Sequence, residues 1–230
     1  MVHDRTGVAE VLRALPRRRR RTSRVWTNEE ETPERVLLRL GTGLIAGVDE
    51  AGRGPLAGPV VAAAVIMPPE RFIAGVDDSK RLSPASREEV CRLILDEAVA
   101  VGIGIVEHDV IDQINILNAA ILAMNRAVSA LGVRPDHLLV DGNRYRSMDA
   151  PPLPFTTVIG GDARCYSIAA ASIVAKVRRD AIMREMDLRF PGYGFARHKG
   201  YPTGSHRAAI GRLGLSPIHR RTFTFKATDD

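Results

Sequence analysis

Cysteine is scarce in this 230-residue chain, which contains only Cys91 and Cys165. Neither lies in the spacing of a metal-binding motif, which disfavours a disulfide framework and a structural zinc site and favours a reducing cytoplasm. Aromatic residues make up only 5% of the chain, which predicts a mainly aliphatic core. No apolar run approaches the ~18 residues of a membrane-spanning helix, and the N-terminus lacks the apolar stretch of a secretion signal.

Acidic residues are absent from positions 188–228, although the net charge of the whole chain is only +6. The cations of that segment are Arg189, Arg197, Lys199, Arg207, Arg212, Arg220, Arg221 and Lys226. Charges of one sign in one segment are typical of a surface that binds a polyanion such as nucleic acid. On charge alone, a merely basic and soluble surface is the alternative.

Residues 1–43 are predicted to form a basic, disordered extension that precedes a single folded domain at 44–228. Five consecutive arginines occupy positions 17–21, and their mutual repulsion disfavours folding unless the segment is bound. Contact with nucleic acid and a purely solubilising role are both open for this extension.

From residue 44 onward, short apolar runs alternate with stretches of helical periodicity. We expect strands at about 44–49, 58–67, 101–106, 137–140 and 155–159. We expect helices that start at Ser83 and that span about 116–131 and 168–189. The alternation predicts a layered α/β domain.

Two adjacent carboxylates, Asp49 and Glu50, follow the first apolar strand. Carboxylates at the end of a buried strand are costly unless a metal ion or a salt bridge compensates them. Gly52 and Gly54 then flank Arg53, so the backbone is free to approach a ligand while the guanidinium offers a fork for phosphate. This combination indicates a site that holds metal and phosphate together.

Two further acids are candidates for the same site. Asp141 ends the strand at 137–140, and Asp180 shares the apolar face of the last long helix. The alternatives are an ordinary Asp-Gly turn for Asp141 and a salt bridge to Arg53, Lys176 or a neighbouring arginine for Asp180. If all four acids converge, their repulsion requires cations, and oxygen ligands suit Mg²⁺ or Mn²⁺. Two such ions could clamp the attacking and leaving oxygens of a phosphodiester.

Seven motifs of this chain occur in the order in which they stand in the ribonuclease HII family, which the chain resembles over roughly residues 44–226. They are Asp49-Glu50-Ala-Gly52-Arg53-Gly54, Asp78-Ser79-Lys80, Ile111-Asp-Gln-Ile-Asn115, Val140-Asp141-Gly142, Ala169-Ala-Ala-Ser-Ile-Val-Ala-Lys176-Val-Arg-Arg-Asp180, His198-Lys-Gly-Tyr201-Pro-Thr and Ile218-His219-Arg-Arg-Thr-Phe. The resemblance does not extend to residues 1–43.

The resemblance implies a ribonuclease H-like fold, with a mixed central sheet flanked by helices and a helical C-terminal part. It implies an endonuclease that hydrolyses the RNA strand of RNA–DNA hybrids and incises duplex DNA on the 5′ side of embedded ribonucleotides. The implied products carry a 3′-hydroxyl and a 5′-phosphate, and the implied catalysis uses two metal ions, Mg²⁺ or Mn²⁺. We expect a cytoplasmic monomer that does not bind membranes.

By motif position, the resemblance assigns residues to metal and substrate. The expected metal ligands and catalytic residues are Asp49, Glu50, Asp141 and Asp180. The expected substrate-binding residues are Gly52, Arg53, Gly54, Ser79, Lys80, Lys176, His198, Lys199, Tyr201 and His219. Some relatives pack a tyrosine on the sugar beside the cut, and Tyr201 and His219 are the candidates for that place. A simple turn at Ser79 and a solvated loop at His198 and Lys199 are the alternatives.

Other functions account for less of the sequence than a nuclease does. Gly52-x-Gly54-x-x-Ala57 matches a loose dinucleotide-binding fingerprint, but the run Val60–Ile66 predicts a strand where that motif must open a helix. An actin-like ATPase would need a second, duplicated domain, for which the chain is too short. A catalytically silent nucleic-acid-binding protein does not explain an acid at Asp180, and a resolvase-like nuclease lacks the Gly-Arg-Gly segment.

Overall fold

The fold is built around a five-stranded sheet. The computed structural model describes residues 26–27, 31–76 and 82–224. The strands are β1 (Ile45–Ala51), β2 (Val60–Ile66), β3 (Ala100–Val106), β4 (His137–Asp141) and β5 (Phe155–Val158). The helices are α1 (Pro33–Arg39), α2 (Pro84–Glu97), α3 (His108–Ser129), α4 (Tyr166–Arg189), α5 (Phe195–His198) and α6 (Gly204–Leu213), with a 3₁₀ turn at Gly161–Ala163. The predicted α/β class is confirmed.

The sheet is mixed, in the order β3-β2-β1-β4-β5. The pairs β1–β2 and β2–β3 are antiparallel, whereas β1–β4 and β4–β5 are parallel. In the β1–β4 pair Val48 lies opposite Val140, so Asp49 and Asp141 come next on neighbouring strands. The parallel direction of these two strands therefore brings the predicted acids to one edge of the sheet.

Both faces of the sheet are covered by helices, which explains the uniformly apolar sequence of β2. Ala62 and Ala64 belong to the core layer that includes α3, whereas Ala63 and Val65 belong to the layer that includes α2 and α4. Every residue of β2 is buried. A strand buried on both faces has no solvent side on which polar residues could alternate.

Helix α4 lies unusually close to the centre of the sheet at Gly47. A Cβ at this position would lie 2.1 Å from the backbone carbonyl carbon of Ser167. Only glycine leaves space for that approach, since a side chain would force the helix outward. The contact places the first turn of α4 beside the middle of β1, two residues before Asp49.

Helix α3 contains a break at Asn115, where φ is 64° and ψ is 164°. The Asn115 Oδ1 accepts hydrogen bonds from the backbone N–H groups of Leu117 and Asn118 at 3.0 and 3.1 Å. This side chain thereby caps the second half of the helix, which is the part that the sequence pattern predicted. The preceding turn, which starts at His108, was not expected.

The end of the predicted disordered extension is ordered in the structure, which corrects the expected start of the domain. Helix α1 buries Val36 and Leu37 against the sheet. The Trp26 indole donates a 2.8 Å hydrogen bond to the Val76 carbonyl. Thr32 caps α1 and Pro33 starts it, a helix signal that the surrounding arginines obscured. Residues 1–25 and 28–30 lie outside the described part.

Within residues 26–27, 31–76 and 82–224, no helix is both long enough and apolar enough to cross a membrane.

Candidate active site

Three of the predicted acids meet where β1 and β4 end. Asp49 is only 8% exposed, and its Oδ1 accepts a 2.7 Å hydrogen bond from the Glu50 N–H. Burial, followed by the negative charges of Glu50, Asp141 and Asp162, raises the pKa of Asp49 well above its usual range. Because the charges of Glu50 and Asp141 act on Asp49, the three carboxylates lie close together.

Glu50 connects this acidic group to the Gly-Arg-Gly segment. Burial raises the pKa of Glu50 to about 7, the positive charge of Arg53 opposes that rise, and the charge of Asp141 adds to it. Arg53 donates a 3.2 Å hydrogen bond to the Glu50 carboxylate, although 54% of the Arg53 side chain is exposed. Because more than half of the Arg53 side chain is exposed, its guanidinium remains available to a ligand.

Asp162 is a fourth acid at this place, and the sequence analysis missed it. It lies on the 3₁₀ turn before α4, is 4% exposed, and contributes to the raised pKa of Asp49. The adjoining Gly161 N–H donates a 2.6 Å hydrogen bond to Asp141 Oδ1, which ties this turn to β4. In the sequence Asp162 follows two glycines and reads as an ordinary loop residue. The available signal was its position just beyond a strand, where α/β sheets gather ligands.

Asp180 is paired with cations of its own, which argues against its predicted role as a metal ligand. Its carboxylate pairs with the Lys176 ammonium at 2.7 Å and with the Arg87 guanidinium at 3.4 Å. Fourteen rises of 1.5 Å separate Tyr166 from Asp180, which is ~21 Å along α4. The charges that raise the pKa of Asp49 are those of Glu50, Asp141 and Asp162, which lies just ahead of that helix. The salt-bridge alternative is the arrangement observed.

The acids at the strand ends fit a hard divalent cation by their chemistry. Asp49, Glu50, Asp141 and Asp162 offer carboxylate oxygens, which Mg²⁺ and Mn²⁺ prefer, and no thiol or imidazole is involved. A cation would also relieve the repulsion that raises the pKa values of Asp49 and Glu50. Among the described residues no three such side chains already stand at metal-binding distances. The carboxylates would therefore draw together around an ion.

Residues 52–59, which we call the substrate loop, connect β1 to β2 beside these acids. Gly52 has a φ of +102°, and a Cβ there would lie 2.1 Å from the Arg179 Nε. Both the backbone conformation and the close contact require glycine. Arg53 and Gly54 are exposed, whereas Gly52 is buried. The loop thus presents its Arg-Gly portion to solvent.

A cavity of about 220 Å³ opens between the acids and helix α3. Its lining comprises Glu50, Arg53, Leu117, Ala120, Ile121, Met124, Asp141, Gly142, Asn143 and Arg144. One wall is therefore apolar and helical, while the opposite wall carries two carboxylates and two arginines. Such a cleft can hold a phosphate backbone near the acids while the arginines balance its charge.

Of the two candidates for the sugar contact, Tyr201 lies at the surface and His219 does not. The Tyr201 ring is 3.6 Å from where a Cβ on Gly54 would lie, and the residue is 39% exposed. His219 is 2% exposed, and its ring nitrogens contact the Ser216 N–H at 2.8 Å and His206 Nε2 at 3.1 Å. The buried and fully engaged ring of His219 argues against its predicted substrate contact.

The other predicted substrate residues are placed less favourably. His198 is 8% exposed, and its ring nitrogens contact the Tyr193 carbonyl at 2.8 Å and the Gly200 N–H at 3.2 Å, which leaves neither free for phosphate. Lys199 is half-buried and donates to the Ala196 carbonyl. Lys176 is 20% exposed and lies 5.9 Å from the centre of the Tyr201 ring. Ser79 and Lys80 lie outside the described residues.

Comparison with known proteins bears on these features. The family model described as Ribonuclease HII matches residues 46–226. A relative named Ribonuclease HII from Geobacter sulfurreducens is 54% identical over 201 residues, which cover 86% of this chain and 88% of the relative.

Solved structures with the same fold were also found. The crystal structure of ribonuclease H2 from Pyrococcus horikoshii is similar with a TM-score of 0.64 and 27% identity, and the match covers 79% of this chain and 94% of that one. The crystal structure of Bst-RNase HIII in complex with Mn²⁺ is similar with a TM-score of 0.61 and 20% identity, over 81% of this chain and 68% of that one. At 20% identity this second likeness shows the fold alone.

Proposed function

Because the chain belongs to the ribonuclease HII family and is therefore a ribonuclease H, a hydrolytic endonuclease, we propose that it cuts the RNA strand of RNA–DNA hybrids and incises duplex DNA on the 5′ side of embedded ribonucleotides. The observation that carries this proposal is the group of buried, mutually repelling carboxylates at the ends of β1 and β4. An exposed arginine stands beside them, where a phosphate would be drawn in.

We assign Asp49, Glu50, Asp141 and Asp162 as the residues that hold divalent metal, Mg²⁺ or Mn²⁺. Asp162 replaces Asp180 in this set because Asp162 interacts electrostatically with Asp49, whereas Asp180 is neutralised by Lys176. With divalent ions held there, these carboxylates would supply activation of a water for attack on phosphorus and stabilisation of the departing 3′ oxygen. The solved Bst-RNase HIII complex with Mn²⁺ supports a divalent ion on this fold.

The substrate loop and its neighbours would recognise the ribonucleotide. The backbone at Arg53 and Gly54 is exposed next to Glu50, within reach of a ribose 2′-hydroxyl, which is the group that distinguishes RNA from DNA. The Arg53 and Arg144 side chains on the cleft would position the adjoining phosphates. The Tyr201 ring beside Gly54 would pack on the neighbouring sugar.

A cytoplasmic location is part of the same proposal. Cys91 is a free thiol that is buried within the fold. A buried cysteine of this kind is expected in a protein that works in a reducing compartment.

The test is a cleavage assay on two 5′-labelled duplexes that differ only in one 2′-hydroxyl. We expect Mg²⁺- or Mn²⁺-dependent incision of the duplex with one ribonucleotide, at its 5′ side, with 3′-hydroxyl and 5′-phosphate ends. We expect no incision of the all-deoxy duplex, none after chelation, and none by Asp49→Asn. Incision of both duplexes alike, or incision that survives chelator, would contradict the proposal.

A further inference from the structure

Arg220, a buried arginine of the C-terminal segment, donates hydrogen bonds to the buried side of the substrate loop. It is 2% exposed, and its Nη2 donates to the Gly52 carbonyl at 2.6 Å and to the Pro59 carbonyl at 3.2 Å. Its Nη1 donates to the Arg53 carbonyl at 3.1 Å, and its Nε donates to the Gly58 carbonyl at 3.0 Å. One guanidinium thus gathers carbonyl groups from both ends of the loop.

A second buried arginine, Arg179 of α4, supports the same loop from the helix side. It is 0% exposed, and it donates to the Pro59 carbonyl at 3.0 Å and to the Ala57 carbonyl at 3.2 Å. Its Nη1 also donates to the Lys199 carbonyl at 3.0 Å, which links the loop to the segment that carries Tyr201. Both arginines lie opposite the face of the loop that is open to solvent.

Burying two neighbouring cations carries a desolvation cost. Burial, followed by the positive charge of Arg179, lowers the pKa of Arg220 to about 9, which still leaves it charged near neutral pH. Apolar residues could fill the same volume without a desolvation cost. What an apolar residue cannot do is bind several carbonyl groups at fixed angles, as the planar fork of five donors can.

The direction of the loop carbonyls fixes the direction of its N–H groups. In a trans peptide the C=O and the N–H of one unit point opposite ways. Since the Gly52 and Arg53 carbonyls point inward to Arg220, the N–H groups of Arg53 and Gly54 point outward. In the described part of the chain, neither of these N–H groups donates to a protein acceptor.

We propose that Arg220, together with Arg179, is a positioning residue that aims the Arg53 and Gly54 N–H groups at the 2′-hydroxyl and phosphate of a ribonucleotide. This inference rests on the proposed function. The two donors are held in place before substrate arrives, so binding requires no reorganisation of the loop. The buried positive charges also favour an anion on the outer side of the same peptides, because their field is weakly screened there.

The experiment measures binding of the full chain to two duplexes, one with a single ribonucleotide and one all-deoxy, with chelator present to prevent cleavage. The readout is the ratio of the two dissociation constants, by fluorescence anisotropy. The test variant is Arg220→Lys, which keeps the charge but loses the fork. The matched control is Arg87→Lys, because Arg87 is also a buried arginine but contacts the Leu82 carbonyl and Asp180, away from the loop.

We expect the wild type and Arg87→Lys to prefer the ribonucleotide duplex, and Arg220→Lys to lose about tenfold of that preference with unchanged affinity for the all-deoxy duplex. A purely structural role would lower both affinities by the same factor and keep the ratio, which would overturn the inference. If Arg220→Lys does not unfold cooperatively, Arg179→Lys is measured in its place. If neither variant folds, these arginines hold the fold rather than aim the loop, and the inference is wrong.

Failure of the proposed function looks different in the same experiment. A wild type that binds both duplexes equally, and cuts neither in the presence of Mn²⁺, would contradict the proposed function itself. A wild type that discriminates, with an Arg220→Lys variant that discriminates equally well, would contradict only the role of the buried arginines.

Discussion

At the scale of single residues, Asp162 and Asp180 show how neighbours decide what a buried acid does. Asp180 is matched by the Lys176 ammonium at 2.7 Å, so it needs no further cation. Asp162 instead adds its negative charge to that of Glu50 and Asp141 around Asp49. An acid within such a group raises the affinity for a divalent ion, whereas a paired acid strengthens the helix that carries it.

Tyr201 leads to a prediction at this scale. We expect Tyr201→Ala to reduce kcat/KM on a single-ribonucleotide duplex by about tenfold, because packing of an aromatic ring on a nucleotide contributes ~1–3 kcal/mol. Tyr201→Phe should retain most activity, since the ring rather than the hydroxyl makes the contact. Steady-state kinetics on the three proteins checks this. Equal losses in Phe and Ala variants would mean that the hydroxyl matters and the packing does not.

Single residues of the site were predictable from the sequence where they stand at the end of a predicted strand. Asp49, Glu50 and Asp141 end buried apolar runs, and parallel pairing of β1 with β4 then brings them together. Asp162 follows a weak strand and two glycines, so nothing in its local pattern distinguishes it from a turn. Asp180 shares a helix face with apolar residues, but the sequence alone does not say how far along the sheet that face reaches.

At the scale of elements, α1 stabilises the start of α4. The Glu34 carboxylate accepts hydrogen bonds from the Ser167 N–H at 3.0 Å and from the Ser167 hydroxyl at 2.7 Å. Ser167 lies in the first turn of α4, where N–H groups lack helical partners and a negative charge is favourable. The same turn approaches Gly47, which lies in β1 two residues before Asp49.

We therefore expect Glu34→Ala to lower the free energy of unfolding by ~1–2 kcal/mol, as loss of a helix cap does. Glu31→Ala is the control, since Glu31 pairs with Arg39 at an exposed position and should change little. Urea denaturation of both variants and the wild type gives the comparison. A Glu34→Ala variant as stable as Glu31→Ala would show that α1 does not support α4.

Two buried histidines, His206 of α6 and His219, form a neutral pair. The pair joins α6 to the chain that follows it. The Ser216 N–H donates to His219 Nδ1 at 2.8 Å, so the His219 proton must lie on Nε2, which donates to His206 Nε2 at 3.1 Å. His206 then carries its proton on Nδ1 and donates to the Tyr201 carbonyl at 2.9 Å. A second proton on either ring would set N–H against N–H and break this chain of bonds.

Because of the neutral pair of His206 and His219, we expect the folded protein to lose stability in acid. Burial, followed by His206, lowers the pKa of His219 to about 4, below the ~6.5 of an unfolded histidine. As pH falls from ~6.5 to about 4, the unfolded chain binds a proton that the folded one does not, so stability decreases by up to ~1.4 kcal/mol per pH unit. Above ~6.5 the contribution is constant.

Chemical denaturation between pH 4 and pH 8 measures this slope. Replacing the ring in His219→Gln should flatten the curve between pH 4 and pH 6.5, even if the variant is less stable at neutral pH. An unchanged slope in that variant would assign the acid sensitivity to another group. His137, whose pKa burial lowers to about 4, is the residue to replace next.

The elements themselves were largely predictable, and the exceptions have local causes. All five strands and the long helix α4 lie within a few residues of the predicted bounds, because apolar periodicity determines them. Helix α1 was missed since arginine-rich sequence surrounds its short apolar face. Helices α5 and α6 were predicted only as a helical C-terminal part, because the structure holds them by tertiary contacts such as that between His206 and His219.

At the scale of the whole molecule, the acid-free C-terminal segment contains both buried and exposed cations. Its Arg220 is buried beneath the substrate loop, whereas Arg197 and Arg212 are exposed. The sequence could not separate these groups, since burial depends on the Arg220 contacts with residues 52–59, more than 160 positions earlier in the chain. Only the exposed part of the segment's positive charge is therefore available to a polyanion.

The exposed charges predict how binding depends on salt. Neutralising a phosphate with a lysine or arginine contributes about −0.9 to the slope of log affinity against log salt. We expect Arg144→Ala, which removes a cation from the cleft, to reduce the steepness of that slope by about 1. Arg92→Ala on α2 changes the net charge equally and should leave the slope unchanged, because Arg92 pairs with Asp96. Equal slopes for the two variants would place the nucleic acid elsewhere.

The central claim is that Asp49, Glu50, Asp141 and Asp162 hold the divalent metal that a ribonuclease H of this family requires. Calorimetric titration of Mn²⁺ into the protein without nucleic acid tests it most directly. We expect Asp180→Asn to bind Mn²⁺ as the wild type does and Asp162→Asn to bind about tenfold more weakly or worse, since one charged ligand is lost. Wild-type binding by Asp162→Asn together with loss of binding in Asp180→Asn would contradict it.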